Sequence, residues 1–378
     1  MKLDPRIARL AETVITYSLD VQPGEAVLID STDCCDDLAI AMVDAALAAG
    51  GFPIVRRLSN QMQRLQLMNI TEGYAQLLAD AELDLMSRVQ CYVAIRGTDN
   101  QYALSDVPQE KNALYQTAMN QAREKRMLGT KWCVLRYPTP AMAQQCAMST
   151  DAFEEYYFAC CCADYRKMSA AAEPLKEMMM AADQVHILGP GVDLRFSIKD
   201  RFGHSPFLND TAVGRMNLPD GEVGGSVVPD SVQGFISYNI PSTFQGVSFT
   251  GIHFTFRDGK IVEAHCDDPA KEASLNKILD TDPWARFIGE FSIGINPMAD
   301  RAIGDILFDE KMWGSFHFTP GCSPSAIHWD LVCCQRPEFG GGEIWLDDVL
   351  IRKDGRFVLP HLTGLNPDEL LKQEHHPT

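Results

Sequence analysis

Five side chains in the second half of the sequence, Glu222, Glu290, His317, His328 and Asp330, are of the types a metal-dependent hydrolase needs. The closing pair is the sharpest signal. Ser325-Ala326-Ile327-His328-Trp329-Asp330-Leu331-Val332 alternates apolar and polar residues and predicts a strand, on which side chains two apart share a face. His328 and Asp330 then point the same way, and an imidazole beside a carboxylate suits a borderline ion such as zinc, cobalt or manganese. One His-x-Asp alone is more often the polar face of an exposed strand. The other three candidates shift that balance. Glu222 opens Glu222-Val223-Gly224-Gly225, Glu290 opens Glu290-Phe291-Ser292-Ile293-Gly294, and His317 sits in Ser315-Phe316-His317-Phe318. These are strand-like surroundings in which a lone charge or imidazole has no routine structural duty.

These blocks resemble the thermophilic metalloprotease family of aminopeptidases. The resemblance runs essentially end to end and is densest in five places: Asn217-Leu218-Pro219-Asp220-Gly221-Glu222-Val223; Asp280-Thr281-Asp282 followed by 289–296; Ile306-Leu307-Phe308-Asp309-Glu310-Lys311; 325–330; and Gly341-Gly342-Glu343-Ile344. It implies that Glu222, Glu290, His317, His328 and Asp330 hold two divalent ions, drawn from zinc, cobalt, manganese or magnesium. It also implies a homodimer enclosing a cavity, which would restrict substrates to short peptides. Two such ions can share a water, lower its pKa and polarise a peptide carbonyl. The expected activity is removal of N-terminal residues from short peptides, with Glu222 or Glu290 as base or bridging ligand. The sequence departs from the family pattern at one point. The family has a longer link between the two histidines and a tyrosine seven residues after the first, where this chain has Pro324. Losing an oxyanion donor can cost roughly 10²–10³ in turnover. The alternative expectation is therefore a metal-binding relative with weak or no peptidase activity.

The elements that must position these residues fall into two patterns. In the first half, helical periodicity over 6–19 and 38–49 alternates with apolar runs at 26–30, 53–55, 91–95 and 132–135. Such alternation predicts an α/β domain with a mostly parallel sheet. The first run leads into Ser31-Thr32-Asp33-Cys34-Cys35-Asp36, and no G-x-G-x-x-G occurs, so nucleotide binding is not expected. Residues 151–184 read as wholly helical, and Gly189-Pro190-Gly191 marks a change of pattern. Beyond it, Asp258-Gly259 and Asp354-Gly355 predict tight turns, the first between alternating strands, and a helix is expected at about 269–279. The expected division is an α/β domain over 1–188 and a mainly antiparallel, β-rich, metal-binding catalytic domain over 189–378.

Composition narrows the partners. Net charge is −18 without a Lys/Arg cluster, so nucleic acid and anionic membranes are unsuitable partners. No apolar run is long enough to span a bilayer, and no apolar core follows the basic residue of Met1-Lys2-Leu3-Asp4-Pro5-Arg6 to make a secretory signal. A cytoplasmic protein is expected. The twelve cysteines include vicinal groups but no C-x-x-C, which favours reduced thiols acting as small apolar fillers. Cys322, between His317 and His328, is singled out as an oxidisable or adventitious ligand. His375-His376 in the polar tail reads as a solvated end. No G-x-S-x-G or H-E-x-x-H occurs, which removes the serine-hydrolase and single-zinc helix readings.

Overall fold

The computed structural model describes residues 4–201 and 213–372; residues 1–3 of the chain start and the tail histidines His375 and His376 lie outside the described residues. Strands follow in the order β1 (Ala26–Thr32), β2 (Phe52–Leu58), β3 (Cys91–Arg96), β4 (Lys131–Arg136), β5 (Gln184–Gly189), β6 (Val192–Ser197), β7 (Met216–Leu218), β8 (Glu222–Gly225) and β9 (Gln233–Ser237). They continue as β10 (Ser242–Phe244), β11 (Val247–Phe249), β12 (His253–Arg257), β13 (Lys260–His265), β14 (Ile288–Gly294), β15 (Ser315–Pro320), β16 (Val332–Cys334), β17 (Glu343–Leu346), β18 (Val349–Lys353) and β19 (Arg356–Phe357).

The chain divides into two compact units, Met1–Cys162 with Gly214–Pro219, and Ala163–Val213 with Asp220–Thr378. In the first unit all pairs are parallel, in the order β2-β1-β3-β4-β7. Helices such as Pro5–Thr13, Asp36–Ala48 and Glu72–Met86 separate the strands, and β1 and β3 are the near-continuous apolar runs of a sheet covered on both faces. The division expected after residue 188 falls inside β5, which pairs antiparallel with β6 from Gln184 opposite Ser197 to Gly189 opposite Val192. The helix expected over 151–184 is two helices, Thr150–Cys161 and Tyr165–Ala181. Asp164 breaks the run because its carboxylate accepts the Lys167 amide as an N-cap, at 3.0 Å.

In the second unit an antiparallel eight-stranded sheet has the order β13-β12-β9-β6-β5-β17-β18-β19, and a four-stranded antiparallel sheet the order β16-β15-β14-β8. The Asp258-Gly259 turn joins β12 to β13 with both residues at positive φ, and Asp354-Gly355 joins β18 to β19 likewise. Period-2 alternation divides the smaller sheet. Phe291 and Ile293 of β14 lie opposite Phe318 and Phe316 of β15, and Phe291 and Phe318 pack on Phe196 of the larger sheet with ring centroids 5.1 and 4.9 Å apart. Each such fully buried ring is worth about 1.5–3 kcal/mol. The intervening residues therefore project from the opposite face of the small sheet, and these include Glu290 and His317.

The strand expected over 325–332 is regular only at its end, where Val332–Cys334 forms β16. Residues 329–331 nonetheless continue the pairing with β15, since the Phe318 amide donates to the Leu331 carbonyl at 3.0 Å and the Trp329 amide to the Pro320 carbonyl at 3.2 Å, while the Ala326 amide is diverted to Asp282 Oδ2 at 2.8 Å. Burial still alternates, with Ile327, Trp329 and Leu331 inside and His328 exposed. Trp329 anchors the segment by stacking on Phe244, 4.8 Å between centroids, while its indole N–H donates to Ser242 Oγ at 2.9 Å.

Candidate metal centre

Register explains how four elements deliver five side chains to one place. Ser292 of β14 lies opposite His317 of β15 and Gly224 of β8, Gly294 lies opposite Glu222, and Glu290 opposite Thr319. Directly opposed residues share a face, so Glu222, Glu290 and His317 emerge together. Val332 of β16 lies opposite His317, and Asp330 and His328, two and four residues earlier, continue that parity along the extended segment. The pair keeps that face because bonds to β15 run on past β16, at Leu331 and Trp329.

Among the described residues, two overlapping groups bring their ligand atoms within 4.8 Å of one another: Glu222, Glu290 and His317, and Glu290, His328 and Asp330. Glu290 belongs to both. Its Oε1 is 3.3 Å from His317 Nε2, and its Oε2 is 3.4 Å from His328 Nε2. Asp330 Oδ1 is 3.0 Å from His328 Nε2, and Glu222 Oε2 is 3.5 Å from His317 Nε2. Hydroxyls steady the acids: Ser292 Oγ donates to Glu290 Oε1 at 2.7 Å, and Thr319 Oγ1 to Asp330 Oδ1 at 2.8 Å. Gly224 is required beneath this arrangement, because a Cβ there would lie 1.5 Å from Ser292 Oγ. Glu290 and His317 are 4% and 1% exposed, whereas the His328 side chain is 53% exposed, so the His328 side is the one open to solvent.

The electrostatics fit a cation site. Burial alone would push the His317 imidazole down, but its bond to Glu290 and the nearby Glu222 outweigh that and raise it to about 9. Asp330 chiefly raises His328 well above the usual histidine range. Burial would raise Glu290 and Asp330, yet the imidazoles overcome it and hold both below the usual carboxylate range. Glu222 Oε2, a buried atom that could ligate, has no hydrogen bond. Buried polar atoms are rarely left so, and mixed carboxylate and imidazole donors suit a divalent transition ion.

A sequence profile of the thermophilic metalloprotease (M29) family matches residues 3–357. The chain belongs to that family. It is a metalloprotease, a hydrolase acting on peptide bonds. Among curated M29 relatives, aminopeptidase T of Thermus aquaticus is 24% identical over 338 residues, covering 80% of this chain and 81% of that protein. Aminopeptidase PepS of Streptococcus thermophilus is 23% identical over 343 residues, covering 81% of each chain. In three dimensions, wild-type AmpT from Thermus thermophilus superposes with a TM-score of 0.76 at 20% identity, over 95% of this chain and 100% of that one. A 2,5-dihydroxypyridine dioxygenase from Pseudomonas putida KT2440 shares the fold more distantly, with a TM-score of 0.57 at 14% identity, over 94% and 98% of the chains. One fold thus carries different chemistries. The M29 assignment rests on the profile, not on shape.

The structure also places residues that the sequence reading left without a role. Lys311 Nζ lies 2.5 Å from Glu222 Oε1 and 2.7 Å from Glu310 Oε1, with the Lys311 side chain 1% exposed. Asp282 accepts from Ser325 Oγ and the Ala326 amide, both at 2.8 Å, and so ties down the segment ahead of His328. Ser292 and Thr319 could have been found from period 2, since each lies two residues from a ligand candidate. Lys311 had no local signal beyond its place in a family-like block. Cys322 belongs to neither ligand group, and burial raises its thiol above the ordinary value. The short link after His317 does not scatter the ligands, because both groups form across it. No tyrosine lies in that link, and the buried Tyr238 phenol is committed to the Phe318 carbonyl at 2.6 Å.

Proposed function

We propose that this M29 enzyme removes N-terminal residues from short peptides with two divalent ions, one held by Glu222, Glu290 and His317 and the other by Glu290, His328 and Asp330. The observation that carries the reading is the double membership of Glu290, whose two carboxylate oxygens face different imidazoles. Glu290 is then the bridging ligand and Glu222 a terminal one. Bound ions, whether zinc, cobalt, manganese or magnesium, supply Lewis-acid polarisation of the scissile carbonyl and lower the pKa of a water.

The chain's own residues do the rest. Ser292 and Thr319 fix the carboxylates of Glu290 and Asp330, so little reorganisation is needed when charge develops. Burial of Glu290 and His317 keeps water from screening that side, and the half-exposed His328 leaves the other side open to substrate. No observation favours a metal-binding relative without peptidase activity. The family resemblance extends the reading to a cytoplasmic homodimer, and sedimentation velocity reads the oligomeric state directly.

Metal analysis of the purified protein, coupled to a peptide-library assay, tests the proposal. Two ions per chain and N-terminal trimming are expected for the wild type, with loss of one ion and of cleavage in His328→Ala. Unchanged cleavage in that variant would overturn it.

A further inference from the structure

Lys311 is a charge that the two ligand groups leave unexplained. A buried ion pair is weak evidence of stabilisation, because a well-packed apolar pair of similar volume often does as well. A lysine that is 1% exposed between two acids therefore invites another duty. Its aim is set by the backbone: the Lys311 carbonyl accepts from the Asn296 amide at 2.9 Å, and its own amide donates to the Phe308 carbonyl at 3.1 Å. Gly294 lets the segment press against the end of β14, since a Cβ there would lie 2.2 Å from the Met312 carbonyl oxygen and 3.0 Å from that of Glu310. The ammonium takes Glu222 Oε1, and the same carboxylate's Oε2 is buried, without a hydrogen-bond partner, 3.5 Å from His317 Nε2.

We propose that Lys311, held in place by Glu310, is a positioning residue that fixes the rotation of the Glu222 carboxylate and leaves Oε2 alone as a one-oxygen metal ligand. The inference rests on the reading of Glu222 as a ligand. Withholding Oε1 keeps a coordination position open for water or substrate, which catalytic sites need and closed structural sites lack.

The test is zinc binding to the full chain, measured by competition with a chromophoric chelator, with folding checked by circular dichroism. Removing Lys311 alone would also change the charge beside the metals. The charge-neutral pair Lys311→Met with Glu310→Gln removes one positive and one negative group together and isolates positioning. In that variant one of the two zinc equilibria should weaken about 10–100-fold, as for other outer-shell partners, while the other stays at the wild-type value. Glu222→Ala should weaken the same equilibrium, and adding the pair of substitutions to it should change nothing further. If the double variant does not fold, Glu310→Gln alone should shift the same equilibrium in the same direction by a smaller factor. In folded protein, two unchanged equilibria, or two that weaken together, overturn the positioning role. Should Glu222→Ala itself leave both equilibria untouched, the ligand reading of Glu222 falls and this inference with it. Should Glu222→Ala weaken one and the folded charge-neutral variant neither, only the role of Lys311 falls.

Discussion

At the scale of single residues, the site separates two glutamates that look alike in sequence. Glu290 offers an oxygen to each imidazole, whereas Glu222 gives one oxygen to Lys311 and keeps the other without a hydrogen bond. Glu290→Gln is expected to weaken both metal equilibria, each by more than the roughly 10–100-fold of an outer partner, while His328→Ala weakens one; competition titration distinguishes them. A pH dependence follows from His317. Its imidazole is raised to about 9 in the metal-free chain, and a metal takes only the neutral ring. Below that pH a proton competes with the ion, so affinity at the His317 side should rise about tenfold per pH unit toward 9 and then level off. An affinity at that side flat between pH 6 and 8 would remove His317 from the ligand set.

At the scale of elements, the smaller sheet works because its two faces have different tasks. Phe291, Phe316 and Phe318 anchor it in the core, and the residues between them carry chemistry, so the ligands inherit the rigidity of the packing. Gly224→Ala would drive a Cβ to 1.5 Å from Ser292 Oγ. Displacement of Ser292 and Glu290 should lower thermal stability by about 1–3 kcal/mol, as overpacking does, and abolish tight metal binding. The extended segment of His328 depends on tethers instead. Asp282→Ala removes the acceptor of both Ser325 Oγ and the Ala326 amide, and should loosen the His328 side while sparing the His317 side; the ratio of the two equilibria reads this directly. Strand parity was legible in the sequence because period 2 is local. It led to the shared face of His328 and Asp330, because residues 329–331 keep bonding to β15 ahead of the regular strand. The break at Asp164 was less visible, as a single capping residue has little weight inside a long apolar-periodic run.

At the scale of the whole molecule, parallel and antiparallel sheets occupy different units, and all the proposed ligands lie in the second. No helix among the described residues is long and apolar enough to cross a membrane. Ions held by the proposed ligands of a chain with net charge −18 are expected to stabilise the folded state. An ion at a hundred times its dissociation constant stabilises the fold by about 2.7 kcal/mol per site. Chelation should therefore lower the melting temperature by several degrees and zinc should restore it; a chelator-insensitive melt would argue against folded-state metal binding.

By itself the sequence determined the alternation of strands and helices, the tight Asp-Gly turns, the family and the five candidate ligands, because each is written in local spacing or in ordered blocks. Tertiary structure decided the rest. Only register places Glu222, Glu290 and His317 on one face, only the fold returns residues 214–219 to the first unit as its fifth strand, and only close packing at Gly294 brings Lys311 to Glu222. Those relations join residues tens of positions apart, and their energies come from burial and pairing that no short stretch of sequence contains.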